Sequence, residues 1–211
     1  MSKLYWNTVK PLLKDILEDL MNEKTFEPFM LVGGTSLSLQ LGHRISVDID
    51  LFTDFEYGSI DFKTIREFLE HKYPYCSSRN LENVALGTYF EVGNSKDDFV
   101  KIDLYYTDEF IEPPIIIENI RMATTNEIIA MKLDVILRGG RKKDFWDLHY
   151  FIDKINIDTM ISLFQKRYPY DDYTKIREQF TNFEIADTDF EPICLLDKNW
   201  EIIKLDFIEF A

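Results

Sequence analysis

The chain has 211 residues, 45% of them hydrophobic and 15% aromatic, which suits one domain with a helical annex or two small lobes sharing a cleft. Its 38 acidic and 24 basic residues give a formal net charge of -14, which opposes a broad nucleic-acid-binding surface. Cys76 and Cys194 form no CxxC pair, so neither a disulfide framework nor a cysteine zinc site is indicated. There is no signal-like apolar segment and no uncharged apolar run of about 20 residues, which predicts a cytoplasmic protein that does not contact a membrane.

Apolar periodicity predicts an alternation of helices and strands over residues 1–122. Amphipathic spacing indicates helices at 10–21, 35–41 and 60–71. Short apolar or alternating runs indicate strands at 29–32, 46–52, 85–92 and 99–106, with an edge strand at 115–117. The expected fold class is α/β (α+β), a mixed sheet flanked by helices.

From residue 123 onward the pattern becomes mainly helical. Thr124-Thr125-Asn126-Glu127 has the form of a capping box, and the helix that it opens ends before Gly139. A second helix, forming a hairpin with the first, is predicted at 143–155. Further signals are helical runs at 157–168 and 173–180, an acidic loop around 187–191, and short apolar runs at 193–196 and 202–207. We therefore predict a core domain at 1–122 and a helical C-terminal lobe at 123–211 that completes a cleft.

Two aspartates lie two positions apart on the predicted strand at 46–52. Strand periodicity places Asp48 and Asp50 on one face and their apolar neighbours, Val47 among them, toward the core. On a later strand Asp103 also takes the polar side. Carboxylate oxygens are the ligands that Mg²⁺ prefers, and such a site leaves positions for substrate phosphates. By itself, however, an alternating Asp-x-Asp is also typical of the solvated face of a strand.

A diglycine turn precedes these aspartates. Gly33 and Gly34 follow a short apolar strand, and Thr35 and Ser36 then open a helix. Glycines let backbone amides approach a phosphate, and the helix N-terminus adds partial positive charge. The alternative is an ordinary helix cap by Thr35 or Ser36, and the sequence does not choose which hydroxyl contacts phosphate. A P-loop is excluded because no lysine follows the glycines.

Positive charge is concentrated at 138–143. This segment holds four cations in six residues, Arg138, Arg141, Lys142 and Lys143, and we expect polyanions to dock there. The three histidines form no HExxH motif, and no Gly-x-Ser-x-Gly nucleophile elbow occurs. Hydrolase chemistry is therefore not indicated.

Three blocks in order, at 33–37, 44–51 and 132–147, resemble the AbiEii/AbiGii nucleotidyltransferase toxin family of the DNA-polymerase-beta-like nucleotidyltransferase superfamily. The resemblance runs from about residue 30 to 155. It implies a minimal nucleotidyltransferase fold and Mg²⁺-dependent transfer (with Mn²⁺ as an alternative cation) of a nucleotidyl group from a nucleoside triphosphate. It also implies RNA, such as tRNA, or protein as the acceptor, and the role of a toxin in toxin-antitoxin or phage-defence (abortive infection) systems. A cognate antitoxin would then be a partner.

The resemblance also implies roles for individual residues. The implied metal ligands are Asp48, Asp50 and, with a looser surrounding motif, Asp103. The implied nucleotide-binding residues are Gly33, Gly34, Thr35, Ser36, Arg44, Lys132 and Asp144. Lys132 is expected to bind the triphosphate, and Asp147 joins Asp48, Asp50, Asp103 and Lys132 as a catalytic residue. The alternative interpretations are a solvated helix face for Lys132 and helix capping with a surface pair for Asp144 and Asp147.

Two other functions stay open. A nucleotidyltransferase acting on a small molecule such as an aminoglycoside is slightly favoured by the acidic net charge, whereas the basic segment 138–143 favours RNA. A catalytically silent nucleotide-binding module is the other alternative. The joint presence of Asp48, Asp50, Asp103 and Lys132 argues against that module.

Overall fold

A computed structural model describes residues 3–79, 81 and 84–211. In its first half are 3₁₀ turns at Trp6–Thr8 and Lys24–Phe26, helices α1 (Pro11–Asn22), α2 (Gly33–Leu41) and α3 (Phe62–Lys72), and strands β1 (Met30–Leu31), β2 (Ile49–Thr53), β3 (Tyr75–Ser78), β4 (Gly87–Ser95), β5 (Asp98–Tyr106), β6 (Ile115–Ile117) and β7 (Ile120–Met122). Helices follow at α4 (Thr125–Leu137), α5 (Lys142–His149), α6 (Ile157–Arg167), α7 (Ile176–Gln179), α8 (Glu184–Asp187) and α9 (Trp200–Phe210). The predicted α/β fold class is confirmed. Strands β3 and β7 were not predicted.

The strands form one mixed sheet in the order β3-β4-β5-β2-β1-β7-β6. The central strand β2 is parallel to β5 and antiparallel to β1. The register of β2 and β5 places Asp50 directly opposite Asp103. Because paired residues in register point to the same face of a sheet, these two carboxylates are neighbours.

Apolar side chains pack against both faces of the sheet. On one face Ile49, Leu51, Ile102 and Leu104 belong to a core that also contains the buried sides of α1 and α3. The second core contains Met30, Val32 and Leu37 together with the apolar sides of the helices after residue 123. Since side chains alternate along a strand, Asp50 and Asp103 face the helical C-terminal part.

The predicted domain division at residues 122 and 123 stays a prediction, and residues 1–2, 80, 82 and 83 of its first domain lie outside the described residues. The helices of the C-terminal part differ in their bounds from the predicted ones. Helix α5 ends at His149, and residues 150–154 form turns in which the Lys154 Nζ donates to the Tyr150 carbonyl oxygen at 2.5 Å. The apolar run at 202–207 belongs to α9. Among the helices described, none combines the length and apolarity needed to cross a membrane.

The strand that carries the aspartates is shorter than predicted and begins at Ile49. The amide of Ser46 donates to the carbonyl oxygen of Thr8 at 2.9 Å, outside the sheet. Val47 is 55% exposed, so the prediction that it faces the core is wrong. Asp48 consequently lies in the loop just before β2, where its side chain is half-buried.

The predicted capping box at the start of α4 is half formed. The Thr124 hydroxyl accepts a hydrogen bond from the Glu127 amide at 3.2 Å, as expected. The Glu127 carboxylate instead accepts from the Ile111 amide at 2.8 Å and lies 2.7 Å from the Arg167 Nε. The Arg167 guanidinium also donates to the carbonyl oxygen of Asp108 at 2.8 Å. This buried ion pair joins α4 and α6 to the connection between β5 and β6.

We predict that Arg167→Met lowers the free energy of unfolding by about 3–5 kcal/mol, because the buried Glu127 carboxylate loses its partner. Urea unfolding followed by circular dichroism measures the effect. The matched control is Arg177→Met, which removes an exposed ion pair with Asp158 and should cost about 1 kcal/mol or less. Adding Glu127→Gln to Arg167→Met should cost less than the sum of the single losses, and strict additivity would contradict a coupled pair.

Candidate active site

A cleft of about 380 Å³ opens between the sheet and the helices α4 and α5. It brings together the diglycine turn, the aspartate strands and the helical blocks. The predicted site residues that line it are Gly33, Gly34, Arg44, Asp48, Asp50, Asp103, Lys132 and Asp144. Three others, Thr35, Ser36 and Asp147, are fully buried behind this lining.

Three carboxylates line the floor of the cleft. Asp50 and Asp103 are neighbours on β2 and β5, and Asp48 immediately precedes β2. Burial and then the charge of Asp103 raise the pKa of Asp50 to about 6, with Asp48 adding to the rise and Lys132 opposing it. Burial contributes most to this rise, and Asp103 and Asp48 add to it as neighbouring negative charges. The floor therefore favours the binding of a cation.

Lys101, which sequence reasoning did not single out, pairs with Asp103. Its Nζ donates to both carboxylate oxygens of Asp103, at 2.8 and 2.6 Å. Burial lowers the pKa of Lys101, but the hydrogen bond and charge of Asp103 outweigh it and raise the pKa. The signal that could have identified Lys101 is its spacing, since residues two apart on a strand share a face. Asp48 and Asp50, by contrast, have no ion-pair partner within the described ranges.

The donor set fits a divalent cation chemically, because carboxylate oxygens are the preferred ligands of Mg²⁺. The uncompensated charge at Asp50 supports this fit. Among the described residues, there is no group of three or more His, Cys, Asp or Glu side chains that is already arranged around a common metal position. Asp48 and Asp50 are thus the available pair, whereas Asp103 would have to exchange Lys101 for the cation. The metal-ligand assignment stays a prediction.

Beneath the cleft, three basic side chains converge on the carboxylate of Asp147. The His43 Nε2 lies 2.8 Å from Oδ1, and the Arg44 Nε and Nη2 donate at 2.6 and 2.9 Å. The Lys132 Nζ lies 2.8 Å from Oδ2. Burial raises the pKa of Asp147, but Arg44 and Lys132 outweigh it and hold the pKa well below its ordinary value. Asp147 therefore fixes these side chains from below the cleft.

Lys132 is held by two carboxylates. Its Nζ donates to the Asp144 Oδ1 at 2.6 Å in addition to its contact with Asp147, and its side chain is 8% exposed. Burial lowers the pKa of Lys132, but Asp144 and Asp147 outweigh burial and raise it. The alternative interpretation of Lys132 as part of a solvated helix face is wrong. Helix capping is confirmed for Asp144, whose Oδ2 accepts from the Arg141 amide at 2.9 Å, but the surface pair is wrong because Asp144 and Asp147 are both buried. Nucleotide binding by Lys132 and Asp144 stays a prediction.

The diglycine turn leaves room for charged side chains of the site. Gly33 has a φ of +66°, and a Cβ at this position would lie 2.5 Å from the Asp50 Oδ2. A Cβ at Gly34 would collide with the Arg44 guanidinium, which Asp147 holds in place. Glycine at 33 satisfies both the positive φ and the close approach. The two glycines therefore have a packing role whatever they bind.

Thr35 and Ser36 direct their hydroxyls into the protein. The Thr35 hydroxyl contacts the Ser46 hydroxyl at 2.8 Å and donates to the backbone carbonyl oxygen of Asp48. The Ser36 hydroxyl accepts from the Gln40 side chain at 2.9 Å. The expectation of a helix cap by Thr35 or Ser36 is wrong, since Val32 occupies that position in α2. Thr35 instead anchors the backbone at Asp48.

The basic segment at 138–143 is divided by the fold. Arg138, Arg141 and Lys143 line the cleft. Lys142 is buried, with its Nζ 5.4 Å from the centroid of the Trp200 ring, and the docking of polyanions at this segment stays a prediction. Burial and the nearby Arg141 and Lys132 lower the pKa of Lys143. An anion in the cleft would relieve this crowding of positive charge.

Comparison with known protein families shows which family this chain belongs to. The profile of the family described as nucleotidyl transferase AbiEii toxin, of a type IV toxin-antitoxin system, matches residues 15–210. The chain belongs to the AbiEii nucleotidyltransferase toxin family. The resemblance inferred from the three sequence blocks is thereby confirmed, and it extends over most of this AbiEii-family chain.

Other proteins are similar to this chain in sequence or in fold. An Aquifex aeolicus protein of uncharacterised function is 29% identical over 179 residues, which is 82% of each chain. A candidate nucleotidyltransferase from Helicobacter pylori has 18% identity and a TM-score of 0.59, over 93% of this chain and 88% of its own. MenT4, a nucleotidyltransferase toxin of Mycobacterium tuberculosis, has 16% identity and a TM-score of 0.54, over 92% and 82%. At these identities the structural comparisons show a shared fold.

We predict that Asp147→Asn lowers the free energy of unfolding by about 3–5 kcal/mol, because Arg44 and Lys132 lose the charge that compensates their burial. Since the folded pKa of Asp147 is depressed, its contribution is present above the unfolded pKa of about 4 and is lost as the pH falls below it. Thermal unfolding at pH 7 measures the loss. Glu18→Gln, in an exposed pair with Lys14, is the control and should change little. Equal stability of the two variants would contradict the role of Asp147.

We predict that Asp50→Asn, unlike Asp147→Asn, raises the free energy of unfolding. The folded pKa of Asp50, about 6, exceeds the ordinary value for an aspartate, so its ionisation opposes folding, increasingly as the pH rises from about 4 to 6. In metal-free buffer at pH 7 the variant should be more stable than the wild type by about 1–3 kcal/mol, with a smaller gain at pH 5. Urea unfolding at both pH values tests this. Asp97→Asn, on an exposed turn, should change neither value, and a destabilised Asp50→Asn would refute the charge imbalance.

Proposed function

We propose that this protein transfers a nucleotidyl group from a nucleoside triphosphate to a hydroxyl of an RNA acceptor, such as tRNA, in a magnesium-dependent reaction. We further propose that it acts in the cytoplasm as the toxin of a pair with a cognate antitoxin. The observation that carries the chemistry is the cleft, where the uncompensated carboxylates of Asp48 and Asp50 share one space with the diglycine turn and the cations Arg141 and Lys143. Family membership supports both nucleotidyl transfer and the toxin role.

In this reaction the acceptor oxygen forms a bond to the α-phosphorus of the nucleotide. The bond from that phosphorus to the oxygen bridging the β-phosphate breaks, and pyrophosphate leaves with the electron pair. The hydroxyl proton moves to a carboxylate oxygen at the cleft floor. When bound by Asp48 and Asp50, Mg²⁺ or Mn²⁺ supplies charge neutralisation and Lewis acidity.

The side chains around the carboxylates bind and orient the triphosphate. The backbone amides of Gly33 and Gly34, at the start of α2, are suited to phosphate oxygens. Arg141 and Lys143 offset phosphate charge from the cleft wall. Lys132 lies on the cleft lining. Because Asp144 and Asp147 hold its ammonium there, it adds a positive charge at a fixed position.

Other residues serve the reaction by holding this arrangement. Asp147 and Asp144 fix Lys132, and Asp147 also fixes Arg44 beside Gly34. Thr35 holds the backbone at Asp48. We therefore propose that Asp147, Asp144, Arg44 and Thr35 are positioning residues.

We predict that the wild-type protein, given Mg²⁺ and triphosphates labelled at the α-phosphate, labels RNA when total RNA, cell protein and aminoglycosides are offered together. Chelation of the metal, Asp48→Ala or Asp50→Ala should reduce labelling by about 100-fold or more, because charge compensation at the reacting phosphate is lost. Asp97→Ala, which lies outside the cleft, is the matched control. Labelling of aminoglycosides alone would support the small-molecule alternative, and no labelling would support a silent binding module.

Two measurements separate metal binding and toxicity from turnover. Mg²⁺ should raise the melting temperature of the wild type but not that of Asp50→Asn, since a ligand stabilises the folded state that binds it. Expression of the wild type should slow bacterial growth, and coexpression of an adjacent antitoxin gene should relieve the effect. Growth inhibition that is unchanged by Asp48→Ala and Asp50→Ala would contradict an enzymatic toxin.

A further inference from the structure

A second groove, with a volume of about 370 Å³, adjoins the cleft. The two spaces share five lining residues, namely Arg44, Ser46, Asp48, Arg141 and Lys143. The other walls of the groove come from Ile45, Val47 and residues 189–193. Asp48 therefore belongs to both spaces. This is the place where an acceptor must meet a nucleotide that is bound in the cleft.

The outer wall of the groove is attached to the segment that leads to Asp48. The Ile45 amide donates to the Ile193 carbonyl oxygen at 2.9 Å, and the Leu195 amide donates to the His43 carbonyl oxygen at 2.9 Å. These bonds form an antiparallel bridge centred on Arg44 and Cys194. Backbone pairing on both sides of Arg44 fixes the wall relative to Asp48, so the groove is part of the fold.

The groove presents an aromatic side chain near two cations. Phe190 is 93% exposed although it is apolar, and it lines the groove together with Val47 and Ile193, which are also exposed. Exposed aromatic rings beside basic residues are typical of sites where unstacked bases bind, and each stacked base contributes about 1–3 kcal/mol. Arg141 and Lys143, where the groove meets the cleft, are suited to a phosphate. The groove thus has a base platform and a phosphate site.

Negative charge limits how much nucleic acid the groove can accept. Asp189 and Glu191 flank Phe190 and also line the groove. The Glu191 carboxylate is 62% exposed and lies 3.9 Å from the Lys142 Nζ. These carboxylates and the net charge of -14 repel a long phosphate backbone. The chemistry therefore suits one terminal nucleotide better than a duplex.

We propose that this groove receives the 3′-terminal nucleotide of a single-stranded RNA end. Phe190 stacks on its base, Lys143 binds its phosphate, and its ribose hydroxyl is directed toward Asp48. This inference rests on the proposed nucleotidyl transfer to RNA and assigns the acceptor site for it.

The test compares a synthetic RNA hairpin carrying a four-nucleotide 3′ overhang with the same hairpin ending bluntly. The wild type should prefer the overhang. Phe190→Ala should raise the KM for the overhang RNA about tenfold, while kcat and the KM for the triphosphate stay nearly unchanged, because one stacking contact is lost. Phe190→Trp should retain the wild-type KM. Tyr170→Ala, at another almost fully exposed aromatic that does not line the groove, is the matched control.

The outcomes separate this inference from the proposed function. If the wild type labels the overhang RNA and Phe190→Ala has an unchanged KM, the groove assignment is overturned while nucleotidyl transfer to RNA stands. If only protein or small molecules are labelled, the groove assignment and the RNA acceptor fail together. Equal melting temperatures for the wild type and Phe190→Ala would show that a raised KM reflects binding, as expected for an exposed side chain.

Discussion

The buried carboxylate of Asp147 joins segments that are distant in sequence. It receives His43 and Arg44 from the loop before β2 and Lys132 from α4, and it belongs to α5. Burial of each of these charges alone would be strongly unfavourable, so they stabilise the fold as a set with well-defined contacts. The sheet and the helical part therefore meet in an orientation that satisfies this carboxylate. The shape of the cleft depends on that orientation.

The neighbouring motif residues depend on the same set through short contacts. Arg44, held by Asp147, occupies the space that a side chain at position 34 would need, and Asp50 occupies the corresponding space at position 33. Thr35 then bonds to the backbone at Asp48. The diglycine turn and the two aspartates are thus packed against each other as one unit. This explains physically why small residues, a hydroxyl and the Asp-x-Asp occur together in this order.

Local periodicity carried much of the information about the fold and part of the site. Alternation along each strand correctly placed Asp50 and Asp103 on the polar sides of their own strands, because that property depends on neighbouring residues alone. The pairing of β2 with β5, which brings the two residues together, could not be read in this way. It failed for Val47, since the chain enters β2 later than the apolar pattern suggests. The burial of Asp147 and Lys142 could not be read from their helix, because it depends on which partner packs there. The pairing of residues 43–45 with 193–195 has no periodic signal at all.

That pairing links positions that are far apart in the chain, as the contact of Cys194 with His43 spans 151 residues. On a ribosome, residues 43–50 leave the exit tunnel long before residues 193–195 are synthesised. A nascent chain can fold much of its sheet while the loop before Asp48 still lacks the segment at 193–195 that pairs with it. Completion of this loop is then postponed until late in translation, so the candidate site is assembled only after most of the chain has been made.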